Sequence, residues 1–338
     1  MWNSIVDFLA SVIDIFYNWT GNFGVAVIIF TIIVKGLLLP LDIKSRKSTS
    51  KIQDLQPEIQ RISDKYKNDP EKRSRKLQEL YAQNNVSPMS GCLPMLITLP
   101  VIFILFAALR KIAAEHMYIY MEQLLIANDA SMKDFLAQIS ASVASSDVIK
   151  TSFQDILPML FNNSGNLPSS LAKLPEVISQ ESFDLLSAAI KSVTFEQAQA
   201  AAAASGYSFL WIKNIWVADS AMKSVLGTSV SFGSAMCNGW FILPVLSTAT
   251  QYLQTFLMTR TNKKKSDSTK KQQDPTANSM NWMNKLLPLM SLYFCAVYNS
   301  AFAIYWTVSN IISITQNLVM NLIKKMKDKK SKEEVVNL

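Results

Sequence analysis

Apolar residues in this chain gather into runs long enough to cross a bilayer, whose hydrocarbon core of about 30 Å takes about 20 helical residues. Residues 91–109 (GCLPMLITLPVIFILFAAL) are uncharged, have that length, and are closed by Arg110 and Lys111. Residues 240–258 (WFILPVLSTATQYLQTFLM) are also uncharged and end near Arg260. Residues 22–41 carry a single charge, Lys35. Residues 286–323 hold 38 positions without one Asp, Glu, Lys or Arg, too many for one span. Tyr298, Asn299 and Ser300 near the middle predict a turn, giving a short fourth span at 286–298 and a fifth at 299–323. Pro40, Pro94, Pro100, Pro244 and Pro288 fall in these segments, where lipid-embedded helices tolerate proline better than soluble ones. Ahead of them, in residues 1–21, Ile5, Phe8, Leu9, Val12, Ile15, Phe16 and Trp19 recur at three- and four-residue steps. That stripe predicts an amphipathic helix lying on the membrane surface or packed on the bundle. The same residues lack Lys and Arg, contain Asp7 and Asp14, and do not read as a signal peptide.

The fold class expected is therefore an all-α polytopic membrane protein with five transmembrane helices. Basic residues orient it. Residues 42–90 carry eleven Lys or Arg, residues 259–285 carry seven, and the tail 324–338 carries six. The 110–239 segment has eight against eleven acids, and the N-terminal arm has none. By the positive-inside rule the arm and 110–239 lie outside, the other three lie in the cytoplasm, and five spans close the alternation. The net charge of +8 is thereby explained as topology, and DNA is not expected as a partner. Three cysteines cannot make a disulfide framework, and one histidine leaves no room for a His-rich metal site. With no Gly-rich phosphate loop and no paired carboxylates at metal spacing, no cofactor or metal is expected.

Between the spans, residues 42–90 predict a helical hairpin. Ile52, Leu55, Ile59, Ile62 and Tyr66 follow 3-4 spacing, and Leu77, Leu80 and Tyr81 resume after Asn68-Asp69-Pro70. The external insertion, 110–239, is Ser- and Ala-rich and expected to be mainly helical. Trp211, Ile212, Ile215 and Trp216 in it are apolar enough to dip into the outer interface or to cover the bundle. We expect this insertion, from about Tyr120 to Met236, to be an accessory cap that a linker can replace.

Lys35 carries the most chemistry. It lies twelve residues after Phe23, about 18 Å along a helix rising about 1.5 Å per residue. A lysine in a span either snorkels to the interface or faces a watery cavity. Thr31 sits one turn away. Ser247, Gln251 and Gln254 share a face of the third span, as do Trp306, Asn310, Ser313 and Asn317 of the last. No Asp or Glu occurs in any span. Polar groups from three helices at one depth predict a hydrated, positively charged pocket open to the cytoplasm.

These stretches resemble the YidC-type membrane protein insertase family in its compact form, without the large β-rich domain that Gram-negative members carry. The carrying sequences are GNFGVAVIIFTIIVKGLLLPL, LQPEIQRISDKY, NNVSPMSGCLPMLITLPVIFILFAAL, ILPVLSTATQYLQ and AFAIYWTVSNIISITQNL, in order over about 175 residues. The resemblance implies a five-helix core around a hydrophilic groove, in the plasma membrane of a bacterium. It implies insertion and folding of nascent membrane protein clients, alone or beside the Sec translocon. The cytoplasmic hairpin and basic tail would be contacts for Sec and the ribosome. The family's groove arginine, in an IVRG context, is here Lys35 in IVKG, which keeps the charge without the bidentate fork. Tyr305 and Trp306 match the aromatic pair before VSN, and Gln254, or its neighbour Gln251, matches the groove amide. The alternative function, a secondary transporter of a small anion using Lys35, lacks the internal symmetry such proteins show. An intramembrane hydrolase lacks its parts.

Overall fold

The computed structural model describes residues 2–84, 93–143, 179–219, 238–239, 241–263 and 275–336. Gly91 and Trp240, each expected to open a span, the lysines of 264–271, and residues 144–178 and 220–237 of the insertion lie outside them. The described residues form eleven helices and no strand. The helices are α1 (Trp2–Thr20), α2 (Phe23–Asp54), α3 (Gln56–Lys65), α4 (Pro70–Gln83), α5 (Leu93–Asn128) and α6 (Met132–Val143). They continue with α7 (Gln180–Ser192), α8 (Phe195–Ala204), α9 (Ile242–Lys263), α10 (Pro275–Val297) and α11 (Ser300–Val336). Several outrun the apolar runs that announced them: α2 continues past position 41, α5 past Leu109, and α11 through the basic tail. After Leu109 and Ile323 the sequence changes polarity without a glycine or proline to stop a helix, and in α2 the proline at that point, Pro40, is carried inside the helix. Among the described residues one helix, Phe23–Ser45, is both long and apolar enough to cross a membrane, with mean hydropathy 2.4, and Leu286–Val297 is a shorter apolar helix.

The chain divides into two compact units. The first comprises Met1–Phe30, Ile104–Ser247 and Leu292–Trp306. Its core gathers Ile13, Phe23, Leu109, Ile112, Met117, Tyr120 and Leu125, all essentially inaccessible. Tyr17 stacks on Phe23 with centroids 3.8 Å apart, and His116 and Trp216 meet the same ring edge-on at 4.6 and 4.8 Å. The imidazole of His116 lies 3.1 Å from Asp14 Oδ1 and 3.2 Å from Tyr207 Oη. Lys111 donates to Asp7 at 2.6 Å, a bond that raises the lysine pKa and pins α1 to α5.

A loop of the insertion, residues 205–219, is woven into this unit. Gly206 O accepts from Phe23 N at 3.1 Å, and Ser208 O accepts from Asn22 Nδ2 at 2.8 Å. Asn22 Oδ1 caps α2 by accepting from Gly24 N at 2.9 Å. Farther on, Val217 O accepts from Ser300 N and Ile215 O from Ala301 N, capping α11 with backbone. Asn238 Nδ2 donates to Asn214 O, Val217 O and Ser300 Oγ at 2.8–3.1 Å. Asp219 Oδ1 accepts from Gly239 N and Phe241 N at 3.0 Å, at the head of α9. Burial raises the Asp219 pKa, and the N–H groups of Phe241, Gly239 and Leu243 partly offset that rise. Ile212, Ile215 and Trp216 are buried, whereas Trp211 is half-exposed. This part of the insertion supplies core and caps to the first unit that a linker would not provide.

The second unit comprises Thr31–Phe103, Thr248–Ser291 and Thr307–Leu338. Within it α3 and α4 form an antiparallel hairpin. Ile59 and Leu80 are its buried centre, with Leu55, Ile62, Leu77 and Tyr81 packed around them. Asp69 caps α4 by accepting from Lys72 N at 3.0 Å, with Pro70 starting the helix. That bond, with the Lys72 ammonium, lowers the Asp69 pKa.

Candidate functional site

Polar and apolar positions in the second unit are distributed inside-out. Thr31, Gln251, Thr307, Asn310 and Ser313 are each no more than 8% exposed. Neighbours on the same helices point apolar side chains outward: Ile32, Ile33 and Leu37 on α2, Tyr252, Leu253 and Phe256 on α9, and Ile311, Leu318 and Leu322 on α11. A soluble unit hides such residues; here they cover its surface.

Helical spacing brings the polar groups together. Thr31 and Lys35 are four apart on α2, and Thr307, Asn310 and Ser313 follow three-residue steps on α11. Lys35 Nζ donates to Ser313 Oγ at 3.4 Å, joining α2 to α11. Asn310 Nδ2 donates to Thr250 Oγ1 at 3.2 Å, joining α11 to α9. Three helices thus meet through two side-chain bonds around one partly exposed ammonium. Gln254 Oε1 and Thr307 Oγ1 are buried with no hydrogen-bond partner among the described residues. Such groups are costly unless water or a visiting chain satisfies them.

Two of the expected residues fall in the first unit. Ser247 is fully buried, and its Oγ returns a bond to Pro244 O at 2.8 Å. Trp306 packs on Phe302 at 5.5 Å, with Nε1 buried and unpartnered among the described residues. Thr250 and Thr307 were not among the sequence candidates. Both stand one helical step from residues that were, Thr250 before Gln254 and Thr307 before Asn310, and a threonine alone in an apolar run carries little signal.

Comparison with known proteins bears on the same helices. A family model described as "60Kd inner membrane protein" matches residues 15–176 and 183–329. The chain belongs to this family. The 60Kd match runs through most of the long insertion as well as the helices on either side. A relative named membrane protein insertase YidC, from Clostridium perfringens (strain 13 / Type A), is 26% identical over 334 residues, covering 99% of this chain and 92% of that protein. A YidC insertase of Fusobacterium nucleatum subsp. nucleatum is 41% identical over 123 residues, 36% of this chain and 60% of its own length. One of Geobacter sulfurreducens is 49% identical over 94 residues, 28% of this chain and only 18% of its own length. Taken with the clostridial alignment, the 60Kd family's reach over this chain includes the insertion that the sequence motifs left out.

Proposed function

We propose that the chain is a membrane protein insertase, working without covalent chemistry through a hydrophilic groove in the bacterial plasma membrane. Its five spans lie at 22–41, 91–109, 240–258, 286–298 and 299–323, with the N-terminus outside and the C-terminus in the cytoplasm. The observation that carries this reading is the Lys35–Ser313 bond beside buried Gln251 and Asn310, in a unit whose outer surface is apolar. A span that buries amides and bares isoleucine suits lipid outside and water within. A lysine at mid-membrane costs about 2.5–3.5 kcal/mol on insertion scales, so its retention argues for a task.

The groove shortens the apolar barrier that a client's polar tail must cross. Lys35 attracts acidic residues of that tail, and Gln254 and Thr307 offer hydrogen bonds in place of lost water. The groove residues of the second unit are thus Lys35, Thr31, Gln251, Gln254, Asn310 and Ser313. The short fourth span thins the bilayer locally. Nascent membrane proteins are the clients, the Sec translocon and the ribosome are partners through the hairpin and the tail, and the relatives' names support the activity. Co-translational insertion of small single-span clients into proteoliposomes tests it. Lys35→Ala should lower insertion of clients with acidic translocated tails several-fold, and Lys35→Arg should leave it nearly intact. Equal insertion by wild type and Lys35→Ala at matched protein levels would remove the electrostatic role, and uptake of labelled small anions without insertion would make it a transporter.

A further inference from the structure

Residues 209–212 make a tight two-residue turn inside the first unit. Phe209 and Ile212 exchange both backbone hydrogen bonds at 2.9 Å, leaving Leu210 and Trp211 at the tip. The tip is unusual twice over. Leu210 holds φ +52°, in the left-handed region where glycine or asparagine sits with less strain. Leu210 is also 74% exposed and Trp211 37% exposed, although Ile212 at the turn's base is buried and Phe209 partly so. A branched apolar residue is a poor choice there for folding and a poor choice for contact with water.

The base of the turn fixes where that tip stands. Phe209 lies so close over Gly24 that a Cβ on Gly24 would come within 2.3 Å of the ring. Ser208 O and Gly206 O take hydrogen bonds from Asn22 and Phe23, so the turn is tied to the first residues of α2. One residue spans about 3.8 Å, which keeps Leu210 within an interfacial thickness of that helix end. Trp19, just before the same point, is 78% exposed, and Val25, just after it, is also exposed. Tryptophan prefers the headgroup level, where an apolar ring and a polar N–H are both accommodated.

We propose that the Leu210–Trp211 turn is an interfacial anchor, which inserts into the outer boundary of the lipid bilayer beside the start of α2. The occupant is lipid and not a folded partner. Two side chains without charge at a turn tip are far smaller than a protein interface, and they continue the exposed apolar surface at the head of α2. The proposal rests on α2 crossing the membrane with Phe23 at its outer end. The anchor holds the insertion's loop, and the α11 cap that the loop provides, at a fixed depth.

The test uses the full chain with Cys92→Ser, Cys237→Ser and Cys295→Ala, reconstituted in phosphatidylethanolamine–phosphatidylglycerol vesicles. Nitroxide labels are placed singly at Leu210→Cys and Trp211→Cys, with Ile33→Cys as the lipid reference and Glu196→Cys as the water reference. Collision rates with oxygen and with a water-soluble nickel chelate are then measured. The anchor gives, at 210 or 211, oxygen access near that of position 33 and nickel access at least about threefold below that of position 196. Nickel access equal to position 196, while position 33 stays protected, overturns the anchor and leaves the spanning helix standing. Low access to both reagents means that protein covers the tip and equally overturns it. Nickel access at position 33 itself sinks the spanning reading on which the proposal rests.

Discussion

Gly206 stands at φ +66°, and a Cβ there would come within 2.0 Å of the backbone oxygen of Gly21. Backbone cannot swing away as a side-chain tip can. Gly206→Ala is expected to add a left-handed penalty of about 1–2 kcal/mol to that clash, and to lower the melting temperature of purified protein well beyond Gly36→Ala, where the site is open. Asp219 supplies a pH-dependent companion. Its pKa is raised, so the ionised form is held less well folded than unfolded. That cost is present above the raised value and fades as pH falls through it towards the ordinary carboxylate range. Asp219→Asn should therefore be as stable as wild type or more so at pH 7, and the gap should close on acidification. A gap that widens towards acid would contradict the burial account. Residues such as Lys35, Gln251 and Asn310 were legible in the sequence because a charge or an amide stands out in an apolar run. Thr250 was not, since threonine is ordinary there. Trp211 and Trp216 read alike in sequence, and only the fold separates the exposed ring from the buried one.

At the scale of elements, the hairpin shows how far periodicity reaches. The 3-4 stripe named the residues that meet between α3 and α4, and Asn68-Asp69-Pro70 marked their turn. Leu80→Ala should cost about 2 kcal/mol, the low end for a buried leucine because the hairpin is thin. Hydrogen exchange should rise across α3 and α4 together while α9 is unchanged. Asp69→Ala should speed exchange in the first turn of α4. Wild type should lose the same protection in acid, as pH falls through the lowered Asp69 value. Helix ends were less legible than helix faces. The sequence reading closed α2 where polarity changes, but a helix closes where its backbone is interrupted. Pro57, at the start of α3, lacks the N–H that would continue the ladder, so the break comes at Leu55.

For the whole molecule, hydropathy among the described residues picks Phe23–Ser45 and passes over α9 and α11, whose polar faces lower their averages. What the average conceals, burial reveals: the polar rows turn inward and the apolar rows outward. The insertion was the least legible part. Its ties to α2 and α11 run through backbone carbonyls of residues 206–217, and backbone leaves no mark on composition. Replacing residues 205–219 with a Gly-Ser linker should unfold the protein in detergent, shown by loss of a monodisperse peak and of the cooperative melt. Truncation after Ile323 should leave the fold intact yet weaken ribosome co-sedimentation, most visibly at low salt, where phosphate contacts are strongest. Co-sedimentation unchanged across salt would leave the basic tail to anionic lipid alone.

That tail is not a tether. α11 runs unbroken from Ser300 to Val336, 37 residues, which at about 1.5 Å each makes a rod of about 55 Å, well over the hydrocarbon thickness of about 30 Å. Asn310 and Ser313 share that rod with the lysines near its far end. A flexible tail would let a bound partner drift without disturbing the groove. A continuous helix instead ties the lysines to Ser313 within the second unit, so that a grip on the tail would bear on the angle at which Ser313 faces Lys35.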